Sequence, residues 1–162
     1  MQDGIAESPD VAPSPQLEPT GFLLAANATF HHIGFVVPSI SVVAQGFAVS
    51  LSARWDGEII HDPIQRVRVA FFYPVDHRNP VFELVEPASQ TSPVSTFLKK
   101  GGGLHHVCYE VGDLEAAVES ARSEKWAIAS IPSPAVAFQG RRIAWVCSRN
   151  RLLVELLERR SK

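Results

Sequence analysis

From Phe30 onward, apolar runs alternate with turn residues, and the alternation passes through the chain twice. The first pass reads F-H-H-I-G-F-V-V-P-S-I at residues 30–40 and the second L-H-H-V-C-Y-E-V-G-D-L at 104–114, an offset of 74 (106 − 32). The same offset sets Val69-Ala70-Phe71 against Ile143-Ala144-Trp145. An offset of 72 (155 − 83) sets F-E-L-V-E (82–86) against V-E-L-L-E (154–158). Self-similarity of this kind implies two copies of one supersecondary unit.

Each copy opens with a β-branched and aromatic run and continues with helical spacing. Ile40, Val43, Ala44, Phe47 and Leu51 form one stripe, with Ser39 at the N-cap position; Leu114, Ala117, Val118 and Ala121 form the other, after Asp113. Short strands follow at 57–61, 66–73 and 80–86, then at 127–130, 141–147 and 151–158. The pattern therefore predicts an α+β domain of two tandem βαβββ modules, spanning 29–87 and 104–158. A connecting helix lies between them at 92–103, ending in Gly101-Gly102-Gly103, which reads as a hinge. That triplet is not a phosphate loop, because no strand precedes it and no Lys-Ser/Thr follows. Residues 1–22, with Pro9, Pro13, Pro15 and Pro19 among acidic side chains, read as a disordered tail.

Composition narrows the partners. With 46% hydrophobic residues, 20% charged and a formal net charge of −2, the 162-residue chain has no sequence-wide pull toward nucleic acid or anionic membrane. No apolar run approaches 18 residues, and no Lys or Arg precedes Arg54, so neither a membrane span nor a secretory leader is expected. Cys108 and Cys147 lie in apolar strands and read as buried thiols. A small-molecule partner and a cytoplasmic location are the expectation.

Strand alternation then locates the chemistry. His32, Gly34 and Val36 share one face, while His31, Ile33, Phe35 and Val37 share the greasier face under the helix. The same parity sets His106 with Cys108 and Glu110, and puts Glu83 and Glu155 each among apolar neighbours. A buried carboxylate must be protonated, paired or compensated by a cation, and two histidines at equivalent places in the repeat favour the cation. Glu86 and Glu158 have the opposite parity and read as solvated or strand-end charges. His31 and His105 read as packing residues or residues behind the ligands, and His61 and His77 as loop or edge positions. Gln65 precedes an inner strand, either as a turn residue or as a substrate contact. Phe71, Phe72, Trp126 and Trp145 read as core or interface.

The motifs H-H-I-G-F-V-V, V-R-V-A-F-F, F-E-L-V-E-P, S-P-V-S-T-F-L-K-K-G-G-G-L-H-H-V-C-Y-E-V and L-L-V-E-L-L-E resemble those of methylmalonyl-CoA epimerases in the vicinal oxygen chelate (glyoxalase) superfamily. The resemblance implies a curved, half-open mixed β-barrel with helices outside. It also implies one divalent metal ion (Co, Mn, Ni or Zn) held by His32, Glu83, His106 and Glu155, an acyl thioester substrate and a homodimer. Glu83 and Glu155 are the candidate catalytic carboxylates, and Gln65, Arg142 and Glu110 the candidate substrate contacts. Two departures stand out. Some epimerases carry a further glutamate where this chain has Val69, and the turn C-S-R-N-R (147–151) is shorter and more basic than usual, though Arg141, Arg142, Arg149 and Arg151 could receive phosphate or carboxylate. Alternatives are a glyoxalase I type isomerase, which shares the ligands, a ring-cleaving dioxygenase, which has three, and a resistance-type binding protein, which commonly has none.

Overall fold

A computed structural model describes residues 21–76 and 78–160; nearly all of the expected tail and the reading of His77 fall outside these residues. The chain runs through α1 (Phe22–Ala25), β1 (Thr29–Val36), α2 (Ile40–Ser50), β2 (Ala53–Arg54), β3 (Ile60–Asp62), β4 (Val67–Pro74) and β5 (Val81–Pro87). A connecting helix, α3 (Ser95–Lys99), leads to β6 (Gly103–Val111), α4 (Leu114–Ser123), β7 (Ala127–Pro134), a 3-10 turn at Val136–Phe138, β8 (Arg142–Cys147) and β9 (Leu153–Glu158). The duplicated βαβββ pattern is therefore present, with α1, β2 and the 3-10 turn added to it.

One mixed sheet holds all nine strands, in the order β2-β4-β5-β1-β6-β9-β8-β7, with β3 on β4. At its centre β1 and β6 pair antiparallel and join the modules, and β5 and β9 lie parallel to them on either flank. The path ends at β2 and β7 without closing, which is the half-open barrel. Both stripes predicted as helix faces pack on the outer surface. Ile40 and Ala44 meet Val37, Ala70, Phe72 and Leu84, while Leu114, Ala117, Val118 and Ala121 meet Val111, Ala144 and Val154. Fully buried side chains such as Phe72, Leu84 and Leu114 each contribute about 1.5–3 kcal/mol of burial free energy. Alternate residues of the same strands, Val36, Val69 and Val85 with Cys108, Ile143 and Leu157, face inward.

Three local features depart from the sequence reading. Asp113 caps α4 as expected, its Oδ1 accepting the Ala116 N–H at 2.9 Å, but the Ser39 side chain makes no cap bond. The Ile40 N–H instead donates to Glu86 Oε2 at 2.6 Å. Glu86, expected as a solvated or strand-end charge, is 4% exposed and paired with Arg68, because its parity turns it toward the unsatisfied donors at the start of α2. Phe22, the last residue of the expected tail, is buried beside α4 and meets Trp126 edge-on at 4.9 Å. The β1–β6 pairing carries two bulges. Phe30 and His32 pair with the consecutive residues Tyr109 and Cys108, while Gly34 and Phe35 pair with His106 and Leu104, which leaves His31 and His105 as the extra residues. No helix among the described residues is long and apolar enough to cross a membrane.

Candidate metal centre

His32 and His106 stand on the two central strands, and Glu83 and Glu155 on the strands that flank them. Gly34, two positions after His32, lies opposite Glu83, and Cys108, two positions after His106, lies opposite Glu155. The duplication thus brings equivalent pairs to one place. Nε2 of His32 and Nε2 of His106 are 3.1 Å apart. Glu83 Oε2 lies 3.4 Å from His32 Nε2 and 3.3 Å from His106 Nε2, and Glu155 Oε2 lies 3.4 and 3.9 Å from the same atoms. All four residues are buried.

Atoms bound to one ion at about 2.1 Å stand roughly 3–3.5 Å from their neighbours, close to the separations found here. The ligand atoms of His32, Glu83 and His106 all lie within 4.8 Å of one another. Glu155 Oε2 is buried with no hydrogen-bond partner, an expensive state that a cation relieves. Two imidazoles and two carboxylates suit a first-row divalent ion. The residues fit the metal that the fold implies.

The electrostatics of the quartet are uneven. Burial alone would raise the Glu83 carboxyl, but the His32 and His106 imidazoles reverse this and hold it down to about 2. Burial, reinforced by the neighbouring Glu83 carboxylate, raises Glu155. At His32 burial acts downward, yet the Glu83 carboxylate prevails and raises the imidazole. His31 and His105 are pushed down to about 4, chiefly by burial and then by the adjacent imidazole. The Cys108 thiol is raised by burial and by Glu155 beside it, so it stays protonated.

Residues 31–145 match the family described as the Glyoxalase/Bleomycin resistance protein/Dioxygenase superfamily. The chain belongs to this superfamily. It is 29% identical over 130 residues to the ethylmalonyl-CoA/methylmalonyl-CoA epimerase of Cereibacter sphaeroides, covering 78% of this chain and 94% of that protein. It is 30% identical over 135 residues to the mitochondrial methylmalonyl-CoA epimerase of Dictyostelium discoideum, covering 80% and 77%. Among solved structures, hypothetical protein BH1468 of Bacillus halodurans superposes with a TM-score of 0.71 at 27% identity, over 83% of this chain and 96% of that one.

Around the quartet, this glyoxalase-superfamily protein places residues that sequence reasoning assigned elsewhere. Phe71 and Trp145, read as core or interface, each face a candidate ligand, at 5.9 Å from the His32 ring and 4.7 Å from the His106 ring. Their signal was present in the repeat: the offset of 74 aligns them, and each sits opposite a glutamate across its strand pair. Phe138, from the 3-10 turn, stacks on His32 at 5.9 Å, with no counterpart in the first copy. Gly34 makes room for the second histidine, since a Cβ there would fall 1.9 Å from His106 Cε1. His31 does not pack under α2 as parity required; its Nδ1 lies 2.8 Å from that of His32.

A cavity of about 380 Å³ opens from Glu83, His106 and Glu155 between apolar walls that include Val69, Val85 and Ile143. Gln65 lines it, and its Nε2 donates to Ser133 Oγ and the Pro134 carbonyl, each at 3.1 Å. The other two candidate substrate contacts lie outside the lining. Glu110 is paired with Arg141, and Arg142 is held by Glu115 and Glu158. Those pairs absorb the charge that the sequence left free for a ligand. Arg149 and Arg151 are exposed on the β8–β9 turn, and His61 is exposed on edge strand β3. Both cysteines are free, Cys108 buried and Cys147 partly so.

Proposed function

We propose that this protein is a metal-dependent epimerase of a 2-substituted acyl-CoA resembling methylmalonyl-CoA, with His32, Glu83, His106 and Glu155 holding one divalent cation. The observation that carries the reading is that the His32 and His106 Nε2 atoms stand 3.1 Å apart, with one carboxylate oxygen of each of Glu83 and Glu155 lying 3.3–3.9 Å from them, at the head of an apolar cavity. Relatives named as epimerases of ethylmalonyl-CoA and methylmalonyl-CoA support an isomerase and supply the substrate class. When bound, a divalent cation supplies stabilisation of negative charge on a thioester carbonyl oxygen.

The protein's own groups do the rest. Glu83 and Glu155 stand on β5 and β9, on either side of the strands that carry the imidazoles; in this reading one carboxylate takes the α-proton and the other returns one on the opposite face. The C–H bond breaks, its electron pair passes to the carbonyl oxygen as an enolate, and a new C–H bond forms with inverted configuration. Val69 lies buried in the cavity wall and cannot serve as a base, so the roles fall to the carboxylates of the quartet or to another group, and this reading gives them to the carboxylates. Apolar walls keep water from the enolate. A homodimer and a cytoplasmic location accompany this reading and are checked by light scattering and cell fractionation.

The test is deuterium uptake at C2 of methylmalonyl-CoA in D2O. The protein loaded with Co²⁺ or Mn²⁺ exchanges this position, chelation stops exchange, and Glu155→Gln cuts it about a hundredfold or more. Absence of exchange in loaded protein, with rapid turnover of a glutathione hemithioacetal instead, would transfer the assignment to the glyoxalase I reaction.

A further inference from the structure

We infer that His31 and His105 are positioning residues that fix His32 and His106 in the tautomer able to bind a cation. The inference rests on the metal-centre reading above. An imidazole that offers Nε2 to a metal carries its proton on Nδ1, and that N–H needs an acceptor when it is buried. Both ligand rings are buried, and in each case the atom facing Nδ1 is the Nδ1 of the preceding residue. His31 stands 2.8 Å from His32, and His105 stands 3.0 Å from His106. With the ligand donating, the preceding histidine accepts.

Backbone geometry makes this contact unusual. Consecutive side chains on a regular strand point to opposite faces, so adjacent imidazoles should not meet. Here each bulge in the β1–β6 pairing falls on the first histidine of a doublet, one on each strand, and an extra residue of this kind is free to re-aim its side chain. The device occurs in both copies and serves both candidate imidazole ligands. Aromatic contacts hold the two acceptors in place. His31 meets Phe138 edge-on at 5.7 Å, and His105 meets Phe97 at 4.8 Å and Trp145 at 6.1 Å. Packing alone would account for rings at these positions but not for two matched Nδ1-to-Nδ1 approaches.

Substitutions that keep a ring or keep an acceptor separate these roles. His31→Phe and His105→Phe preserve the aromatic contacts but accept nothing, whereas His31→Asn and His105→Asn put a side-chain oxygen where Nδ1 stood. Zn²⁺ affinity is measured by chelator competition on the full chain, and folding of each ion-free variant is followed by its melting temperature. Each Phe variant should bind Zn²⁺ about 10–100-fold more weakly than the wild type, and each Asn variant within a few-fold of it. Nitrogen-15 spectra of the Zn²⁺-loaded wild type should show His32 and His106 protonated on Nδ1. Phe variants that fold and bind Zn²⁺ as tightly as the wild type overturn the inference and leave the metal centre standing. Failure of the wild type to take up Zn²⁺, Co²⁺ or Mn²⁺ overturns both.

Discussion

Four histidines stand in two doublets at the seam, and His31 and His32, the members of the first, are driven in different directions. Burial holds His31 and His105 to about 4, against 6.5 for a free side chain, so in ion-free protein the unfolded state takes up their protons first as pH falls. Their contribution to stability is complete above pH 6.5 and is lost progressively toward pH 4. His32 is shifted the other way, and its contribution is already complete below 6.5, so it adds no slope in that window. Glu155, raised by burial, takes up a proton more readily in the fold and works against that loss. The denaturation midpoint of ion-free protein should therefore fall between pH 6.5 and 4, and the His31→Asn, His105→Asn double variant should flatten that fall; an unchanged profile would refute the assignment. His32, Glu83, His106 and Glu155 were legible because a repeat aligns them and strand parity turns them inward. His31 and His105 were legible as packing residues or residues behind the ligands, but the atoms they present were not, since a bulge suspends parity and leaves no mark in composition or spacing. Glu86 was misread for a related reason: parity gave its face, but not that this face met a helix N-terminus lacking a cap bond from Ser39.

At the scale of elements, the modules are tied together over the cavity as well as through β1 and β6. Asp62, 1% exposed at the end of β3, accepts the Ile64 and Gln65 N–H groups through Oδ1 at 3.0 and 2.9 Å. Its Oδ2 accepts the Val136 N–H at 2.6 Å, which pins the 3-10 turn that carries Phe138 against His32. Asp62→Ala removes three bonds to a buried charge and should destabilise the protein by about 2–4 kcal/mol in urea titration. Asp62→Asn, which keeps an acceptor, should cost less. Equal midpoints for Asp62→Ala and the wild type would show that the clasp does not hold the turn. Both long helices were legible from their apolar stripes, and the main strands from β-branched alternation. The 3-10 turn was not, because it follows Pro132 and Pro134 in a segment that reads locally as loop and is ordered by an aspartate 74 positions away. The connecting helix is shorter than the span 92–103, since its end is set by glycines in positive φ at 101–103 rather than by the apolar pattern.

For the molecule as a whole, duplication explains both the sheet and the site. Antiparallel pairing of the two first strands sets the copies about a common axis, and each then delivers one imidazole and one carboxylate to the seam between them. Neither module holds the quartet by itself. Overall architecture was therefore the most legible level, because a repeat constrains every element twice. The substrate contacts were the least, because whether an arginine is free depends on which carboxylates the fold brings beside it, as Glu115 and Glu158 do for Arg142. The central claim is that this seam holds one cation, and anomalous diffraction from crystals of protein loaded with Zn²⁺, Co²⁺ or Mn²⁺, recorded at that metal's absorption edge, tests it most directly. The account predicts a single strong peak about 2.1 Å from Nε2 of His32, Nε2 of His106 and a carboxylate oxygen of each of Glu83 and Glu155. No peak at the seam, or a peak bound elsewhere while these four side chains turn away from one another, would contradict it.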